Sequence, residues 1–163
     1  MKKVQFNKKD MLAGRQGFSL IEVILAAAIF CVFSTVAITF FLNGMNADQQ
    51  AIQAGRALDY ASEGMEAVRS IRDISFDNLT DTNGSGVRFS GGQWELNGDH
   101  DERETYRRVI SIFPAERDGG GNVVSDGGTE DPDMKRVVTE VFWVAPSSQA
   151  TSVKLETYLA RWK

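Results

Sequence analysis

The sequence is poor in the residue types that form disulfide bonds, ligate transition metals or break helices. Its 163 residues include one cysteine, one histidine and three prolines, and no proline precedes Pro114. The lone cysteine, Cys31, excludes an intramolecular disulfide, and His100 has no second histidine or cysteine with which to complete a transition-metal site. His100 also lies in an acidic stretch without an evident nucleophile, so we interpret it as a solvated loop residue. These residues predict a protein that is not an enzyme.

Positive charge is concentrated at the start of the chain. The formal net charge is −4, but residues 1–17 hold five basic residues against one acidic residue, so the remainder carries −8. Such an acidic remainder argues against nucleic acid as the main ligand, because phosphate binding needs clustered Lys and Arg. The length allows one modest globular domain beside a long helix. The basic residues of the first segment are Lys2, Lys3, Lys8, Lys9 and Arg15.

A long apolar run follows the basic segment. From Phe18 to Leu42 the only charged side chain is Glu22, and about 20 apolar residues suffice to cross a bilayer as a helix. The positive-inside rule predicts a single span with the N-terminus in the cytoplasm and the C-terminus outside. A secretory signal peptide fits less well, because the small residue Gly17 precedes the apolar run. The span is therefore predicted to be retained.

The stretch "GFSLIEVILAAAIF", residues 17–30, resembles the cleavage and methylation motif of type IV pilins and of the pseudopilins of type II secretion. The resemblance implies that a prepilin peptidase cuts after Gly17, that Phe18 is then N-methylated, and that Glu22 acts in assembly. It implies as partners the prepilin peptidase, other pilin or pseudopilin subunits, an inner-membrane assembly platform, and membrane lipid before assembly. No cofactor is implied.

Glu22 also needs a physical explanation. An unpaired carboxylate inside a bilayer helix costs roughly 2.5–3.5 kcal/mol. Glu22 lies about 6 Å along a helix from Phe18, near enough to the headgroups for its side chain to reach them. Alternatively, the amine created by cleavage at Phe18 pairs with Glu22 of a neighbouring subunit.

The helical pattern continues beyond the apolar run. Leu58, Ala61, Met65 and Val68 keep 3/4 spacing, which predicts one helix from Phe18 to about Phe76 with an amphipathic second half. Residues 57–73 resemble the same part of minor pilins of the PilV kind and pseudopilins of the GspI kind. Unlike many pilins, the chain has no proline in its apolar helix, and the weakest helix formers there are Asn43 and Gly44, followed by Gly55.

After the helix, short β-strand patterns alternate with turn residues. The predicted fold is α+β and pilin-like, with one long N-terminal helix packed against a small antiparallel β-sheet. We expect a leader at 1–17, a membrane or filament-core helix at 18–44, its amphipathic continuation at 45–78 and a sheet domain at 79–163. Strands are predicted at 87–90, 93–96, 105–113, 135–144 and 152–162.

An acidic, glycine-rich stretch at 116–133 is predicted to be a loop. Its carboxylates could supply oxygen ligands to calcium, as in some pseudopilins, although the spacing is not that of an EF-hand. The competing interpretation is a solvated loop that binds no metal. The candidate ligands are Asp118, Asp126, Glu130, Asp131 and Asp133.

Two functions from different classes fit these features. The first is a structural subunit, a minor pilin or pseudopilin, that passes from the inner membrane into an extracellular or periplasmic filament of a type IV pilus or type II secretion-like system. The second is a single-pass membrane-anchored adhesin or binding protein with an uncleaved leader. An anchor needs neither Gly17 before Phe18 nor an acid at Glu22, so the motif favours the subunit.

Overall fold

The structure is a computed structural model that describes residues 17–145 and 150–162. The chain divides into two compact units with a boundary between Met45 and Asn46, and each is described by itself. One helix, α1 (Leu20–Ile74), contributes to both units. Residues 1–16 of the predicted leader lie outside the described residues.

The described part of the first unit is the apolar portion of α1. Its large apolar side chains are exposed, from Phe18 to Leu42. The two threonine hydroxyls in this stretch bond within the helix, since Thr35 Oγ1 donates to the Cys31 carbonyl at 2.9 Å and Thr39 Oγ1 to the Thr35 carbonyl at 2.9 Å. Such internal pairing is what a helix surrounded by lipid requires. By length and composition, α1 is able to cross a membrane.

Within the second unit, α1 buries one face. The predicted 3/4 spacing is confirmed, but the buried stripe includes Ala57, whereas Leu58 is 42% exposed. Its small residues allow a sheet to approach the helix axis closely. The helix ends at Ile74, and a 3-10 turn (Phe76–Asn78) follows, with the Ser75 side chain accepting from the Asp77 amide at 3.3 Å. The buried helix residues are Ala57, Tyr60, Ala61, Gly64, Met65, Ala67, Val68 and Ile71.

The rest of the second unit is a seven-stranded antiparallel sheet. Its main path has the order β2-β1-β4-β6-β7, and the short strands β3 and β5 both pair with β4. The predicted α+β fold, a long helix packed against a small antiparallel sheet, is confirmed. The strands are β1 (Thr82–Ser90), β2 (Gln93–Asn97), β3 (Asp101–Arg103), β4 (Tyr106–Arg117), β5 (Val123–Val124), β6 (Thr129–Val144) and β7 (Ala150–Ala160).

Helix and sheet enclose two adjoining apolar clusters. In one, Met65 and Val68 pack with Ile110 and Val137. In the other, Ala61 packs with Tyr106, Val141 and Trp143, and the rings of Tyr106 and Trp143 lie 6.2 Å apart. Burying this surface supplies the main driving force for joining the helix to the sheet.

Several strands extend into stretches that composition predicts as loops. The Asn- and Gly-rich start of β1 pairs with β4 across an irregularity between Thr82 and Ser85. Gly86 is needed there, because a Cβ would lie 2.5 Å from the His100 carbonyl oxygen. β3 forms inside the polar stretch that follows β2, and the early part of β6 takes up the end of the acidic stretch. Backbone pairing with β4 therefore prevails over local propensity.

Two pairs of consecutive strands form antiparallel hairpins. β1 and β2 are joined by Gly91 and Gly92, which both have positive φ (60° and 87°). β6 and β7 pair without a register shift, from Met134 with Ala160 to Val144 with Ala150. Residues 146–149, which connect these two strands, lie outside the described residues.

A buried arginine joins the helix to the sheet. Arg108 is 1% exposed, and its guanidinium donates to the Tyr60 carbonyl at 2.8 Å and to both oxygens of Asp101 at 3.2 and 2.7 Å. It also lies 4.0 Å from the centre of the Tyr60 ring, and the Tyr60 hydroxyl donates to Asp101. Burial, helped by the hydrogen bond to Asp101, raises the pKa of Tyr60 well above its usual range. Removing one member would leave a buried charge without its partner.

We predict opposite effects for alanine at two glycines of α1. Gly64 faces Arg108, and an added Cβ would lie 2.7 Å from the Arg108 Cδ, whereas a Cβ on Gly55 meets nothing within 4 Å. Gly64→Ala should therefore destabilise the second unit by about 1–3 kcal/mol, while Gly55→Ala should be neutral or stabilise it by up to about 1 kcal/mol. The three tryptophans all lie in the second unit, so urea unfolding of the full chain in detergent, followed by tryptophan fluorescence, measures both effects. Equal effects of the two changes would contradict the close packing at Gly64.

A second prediction concerns the ion pair between Arg103 and Glu63. Two N–H groups of Arg103 donate to the two Glu63 oxygens at 2.7 and 2.6 Å, and Arg103 lowers the pKa of Glu63. The stabilisation is therefore full above the ordinary carboxylate range and is lost as pH falls through the folded-state pKa. Glu63→Gln should cost about 0.5 kcal/mol near neutral pH, because the pair is partly exposed, and the difference from wild type should shrink as pH falls below the ordinary carboxylate range. Urea midpoints across pH measure this, with Asp48→Asn as the control for loss of an exposed carboxylate from α1; a difference from wild type that stays constant with pH would refute the prediction.

Candidate functional site

The predicted processing site lies just ahead of α1. Gly17, Phe18 and Ser19 are not helical, and Phe18 is 83% exposed. The helix begins where the Ser19 carbonyl accepts from the amides of Glu22 at 2.9 Å and Val23 at 3.2 Å. The peptide bond between Gly17 and Phe18 is therefore exposed and outside the helical hydrogen-bond ladder, as a protease requires of its substrate.

Gly17 is not required by the fold. A Cβ added to it would meet nothing within 4 Å, and its φ lies outside the left-handed range. Neither close packing nor an unusual backbone conformation thus explains glycine at this position. The described residues therefore give no structural reason for glycine at position 17.

Glu22 lies in the first turn of α1. Its carboxylate is favourable there, because the unpaired amides give a helix N-terminus a partial positive charge. Ser19 and Glu22 also have the S-x-x-E spacing of a capping box, a signal that our sequence analysis missed. Within residues 17–145 and 150–162, no basic side chain pairs with Glu22. The helix terminus therefore accounts for part of the tolerance of this acid, and a cationic partner would have to come from elsewhere.

A comparison with protein families identifies this segment. A family model described as the prokaryotic N-terminal methylation motif matches residues 12–38, which include Gly17, Phe18 and Glu22. This match supports the resemblance of the N-terminal segment to type IV pilins and pseudopilins. The long apolar helix is consistent with membrane anchoring in such a protein, and the family is structural rather than enzymatic. No curated protein and no solved structure matches the chain significantly.

The family match stops well before the second half of α1. The matched segment ends at residue 38, whereas the likeness to minor pilins of the PilV kind and pseudopilins of the GspI kind rests on residues 57–73. The assignment to that subtype stays a prediction.

The five calcium candidates are not gathered into one site. The Asp118 carboxylate accepts from the amides of Gly120 and Asn122 at 2.8 and 2.9 Å, which closes a turn. Hydrogen bonds from Asn122 lower the pKa of Asp118. Asp126 lies in the bend before β6, and Glu130 is in β6 itself, opposite Glu116.

Two further candidates already face arginines. Asp131 accepts from Arg117 Nε at 2.6 Å, and Arg117 lowers the pKa of Asp131. Asp133 accepts from Arg161 Nε at 3.0 Å. Across the described ranges, no three His, Cys, Asp or Glu side chains are placed to hold a metal ion. Both arginine pairs would have to open before these carboxylates could bind calcium.

His100 is less exposed than predicted. Its side chain is 29% exposed, and its ring nitrogens lie 2.8 Å from the Asp99 carboxylate and 3.4 Å from that of Glu102. The backbone of His100 also packs against Gly86. These contacts give the residue a role in holding the connection between β2 and β3.

We predict that calcium leaves the stability of the second unit unchanged. Asp131 and Asp133 satisfy their charge with Arg117 and Arg161, so calcium would have to displace both arginines. The melting temperature of the full chain, followed by tryptophan fluorescence, should be the same with millimolar calcium and with a chelator. Magnesium controls for ionic strength, and an upward shift with calcium alone would establish a site.

Proposed function

We propose that the chain is a prepilin that becomes a structural subunit, a minor pilin or pseudopilin, of a type IV pilus or type II secretion-like filament. The observation that carries this proposal is the exposed, non-helical bond between Gly17 and Phe18, inside the matched motif and directly ahead of α1. A cut at this bond leaves the whole apolar helix on the mature protein.

Before processing, the apolar helix spans the inner membrane once. The basic residues ahead of Gly17 keep the N-terminus in the cytoplasm, and the second unit lies outside. The prepilin peptidase then cuts after Gly17, and Phe18 becomes the methylated N-terminus. The absence of any steric need for glycine within the fold supports recognition by the peptidase as the reason for Gly17.

Processing changes the electrostatics at the helix start. The new amine of Phe18 lies at the positive end of the helix, where a cation is unfavourable. Glu22 of a staggered neighbour offsets that charge, and the two groups lose their hydration together. This contact supplies the cationic partner that the described part of a single chain does not offer to Glu22.

Assembly exchanges one apolar environment for another. The exposed side chains between Phe18 and Leu42 are covered by lipid in the membrane and by neighbouring helices in a filament. An assembly platform in the inner membrane is the expected partner for this transfer. The sheet unit remains on the outside, and neither a bound cofactor nor nucleic acid is part of the proposal.

The proposal predicts distinct fates for two substitutions in α1. Glu22→Leu should insert and be cleaved normally but should lower incorporation into filaments at least about tenfold, which corresponds to the loss of 1.4 kcal/mol. Asp48→Asn, which also removes a carboxylate from α1, should incorporate as wild type. Immunoblots of sheared filaments and membranes measure both. Incorporation of Glu22→Leu into filaments at the wild-type level would refute the proposed role of Glu22.

Mass spectrometry of the N-terminus tests processing itself. We expect a mature chain that begins with N-methylated Phe18. An intact Met1 on the membrane-bound protein would instead support the rival function, a single-pass anchored adhesin or binding protein with its leader retained. Gly17→Leu serves as the control, because it should block cleavage without affecting the fold.

A further inference from the structure

One edge of the sheet is a long strand without proline, glycine or bulge. β7 has 11 residues, contains neither proline nor glycine, and pairs with β6 without a bulge. In the described part of the chain, no strand pairs with the other side of β7. Proteins normally protect an edge strand with a short length, a proline, a bulge or charged side chains, because its open amides and carbonyls bind other strands, and of these devices β7 has only the charges of Lys154 and Glu156.

The two faces of β7 are chemically distinct. Val153, Leu155 and Thr157 face the helix but remain half-buried. Lys154 and Glu156 point to the other face and lie 3.7 Å apart. The inward row is thus apolar and incompletely covered, while the outward row carries charge.

The C-terminal end of β7 is fixed in place. The Arg161 amide donates to the Asp133 carbonyl at 2.8 Å, and the Arg161 side chain binds both Asp133 and Asp77. Trp162 donates to Asp73 at 3.3 Å. A strand held in this way loses little conformational freedom on binding.

The opposite edge, β2, carries the complementary pattern. Trp94 and Leu96 pack at the margin of the core and are half-buried. Glu95 points to the other face and pairs with Arg88 at 2.6 Å. β2 therefore presents apolar, acidic and apolar residues in order, where the central part of β7 presents Val153, Lys154 and Leu155.

The topology gives both edges the same direction. Four successive antiparallel pairings separate β2 from β7 along the sheet, so the two edge strands run parallel. β7 of one copy can therefore lie beside β2 of a second copy that points the same way. Two β7 strands related by a two-fold axis would pair antiparallel and would direct their helices oppositely, which does not suit copies anchored in one membrane.

Charge selects one register for this contact. Matching the two faces restricts Glu95 to a position beside an outward residue of β7, and these are the even-numbered residues from Ala150 to Ala160. Only Lys154 offers the opposite charge, and the same register sets Trp94 and Leu96 beside Val153 and Leu155.

We propose that the open edge of β7 binds β2 of another copy of this chain, in parallel, with Glu95 beside Lys154. The contact is head-to-tail, so it repeats from copy to copy without closing a two-fold dimer. It rests on the proposed function, because it requires copies that point in one direction, and it assigns a lateral contact to their sheet units.

Cysteine pairs test the register in the full chain with Cys31→Ser. Glu95→Cys combined with Lys154→Cys should give a ladder of dimers, trimers and larger species on mild oxidation, because directly adjacent strand positions lie within disulfide range. The matched control is Glu95→Cys with Glu140→Cys, since Glu140 is the partner of Lys154 on the interior strand β6. We expect at least tenfold more ladder from the first pair. Equal ladders, or a dimer from Glu95→Cys or Lys154→Cys alone, would overturn the proposal.

Charge reversal gives a second test without cysteine chemistry. A chemical crosslinker that reacts with neither residue 95 nor residue 154 should trap fewer oligomers of Lys154→Glu than of the wild type. The double variant Glu95→Lys with Lys154→Glu should restore the wild-type amount. Failure of the double variant to recover crosslinking would count against the assigned register.

In both tests the crosslinked oligomers are measured in two samples. One is filaments sheared from cells that contain the prepilin peptidase, and the other is membranes of cells that lack it, where the uncleaved chain keeps one orientation. If Phe18 is methylated and the chain enters filaments but no disulfide-linked oligomers form, the edge contact is refuted and the proposed function stands. A ladder in membranes with no cleavage in peptidase-containing cells would support the contact and refute the filament subunit.

Discussion

The buried guanidinium of Arg108 constrains where the helix can lie on the sheet, while the apolar clusters supply the driving force for joining them. The side chain is buried on β4, where Asp101 neutralises its charge. One N–H group donates to the Tyr60 carbonyl, and the guanidinium lies over the Tyr60 ring. A charge in that position is tolerable only when every partner is present. Gly64 leaves the space in which the side chain crosses α1, so a short polar network fixes where the helix lies against the sheet.

The same helix serves two environments, and its composition changes accordingly. As far as Leu42 its apolar side chains are exposed and its threonine hydroxyls bond to the backbone, which suits lipid or neighbouring helices. Beyond Asn46 only one face is buried, and that face packs on the sheet. Glu22 marks the start of this helix, where the N-terminus favours an acid whether or not a neighbour supplies a cation.

The two edges of the sheet unit differ in length. One edge is the five-residue strand β2, and the other is the 11-residue strand β7. The two edges run in the same direction and carry matching apolar and charged rows. The acidic stretch between β5 and β6, by contrast, satisfies much of its charge internally through Arg117 and Arg161, so it behaves as part of the sheet margin.

The sequence by itself determined the apolar helix, its 3/4 buried spacing, the α+β class and the processing motif, because each depends on residues close together in the chain. Only the tertiary structure decided that Leu58 is exposed, that β1, β3 and β6 extend into polar stretches, and that two of the calcium candidates, Asp131 and Asp133, face arginines. Those outcomes depend on pairing with β4 and on partners such as Arg161 and Asp133, which lie 28 residues apart. Arg108 shows most clearly what the sequence alone does not reveal. From sequence, an arginine in a strand is expected to be exposed, and only the tertiary structure places Asp101 and Tyr60 beside it.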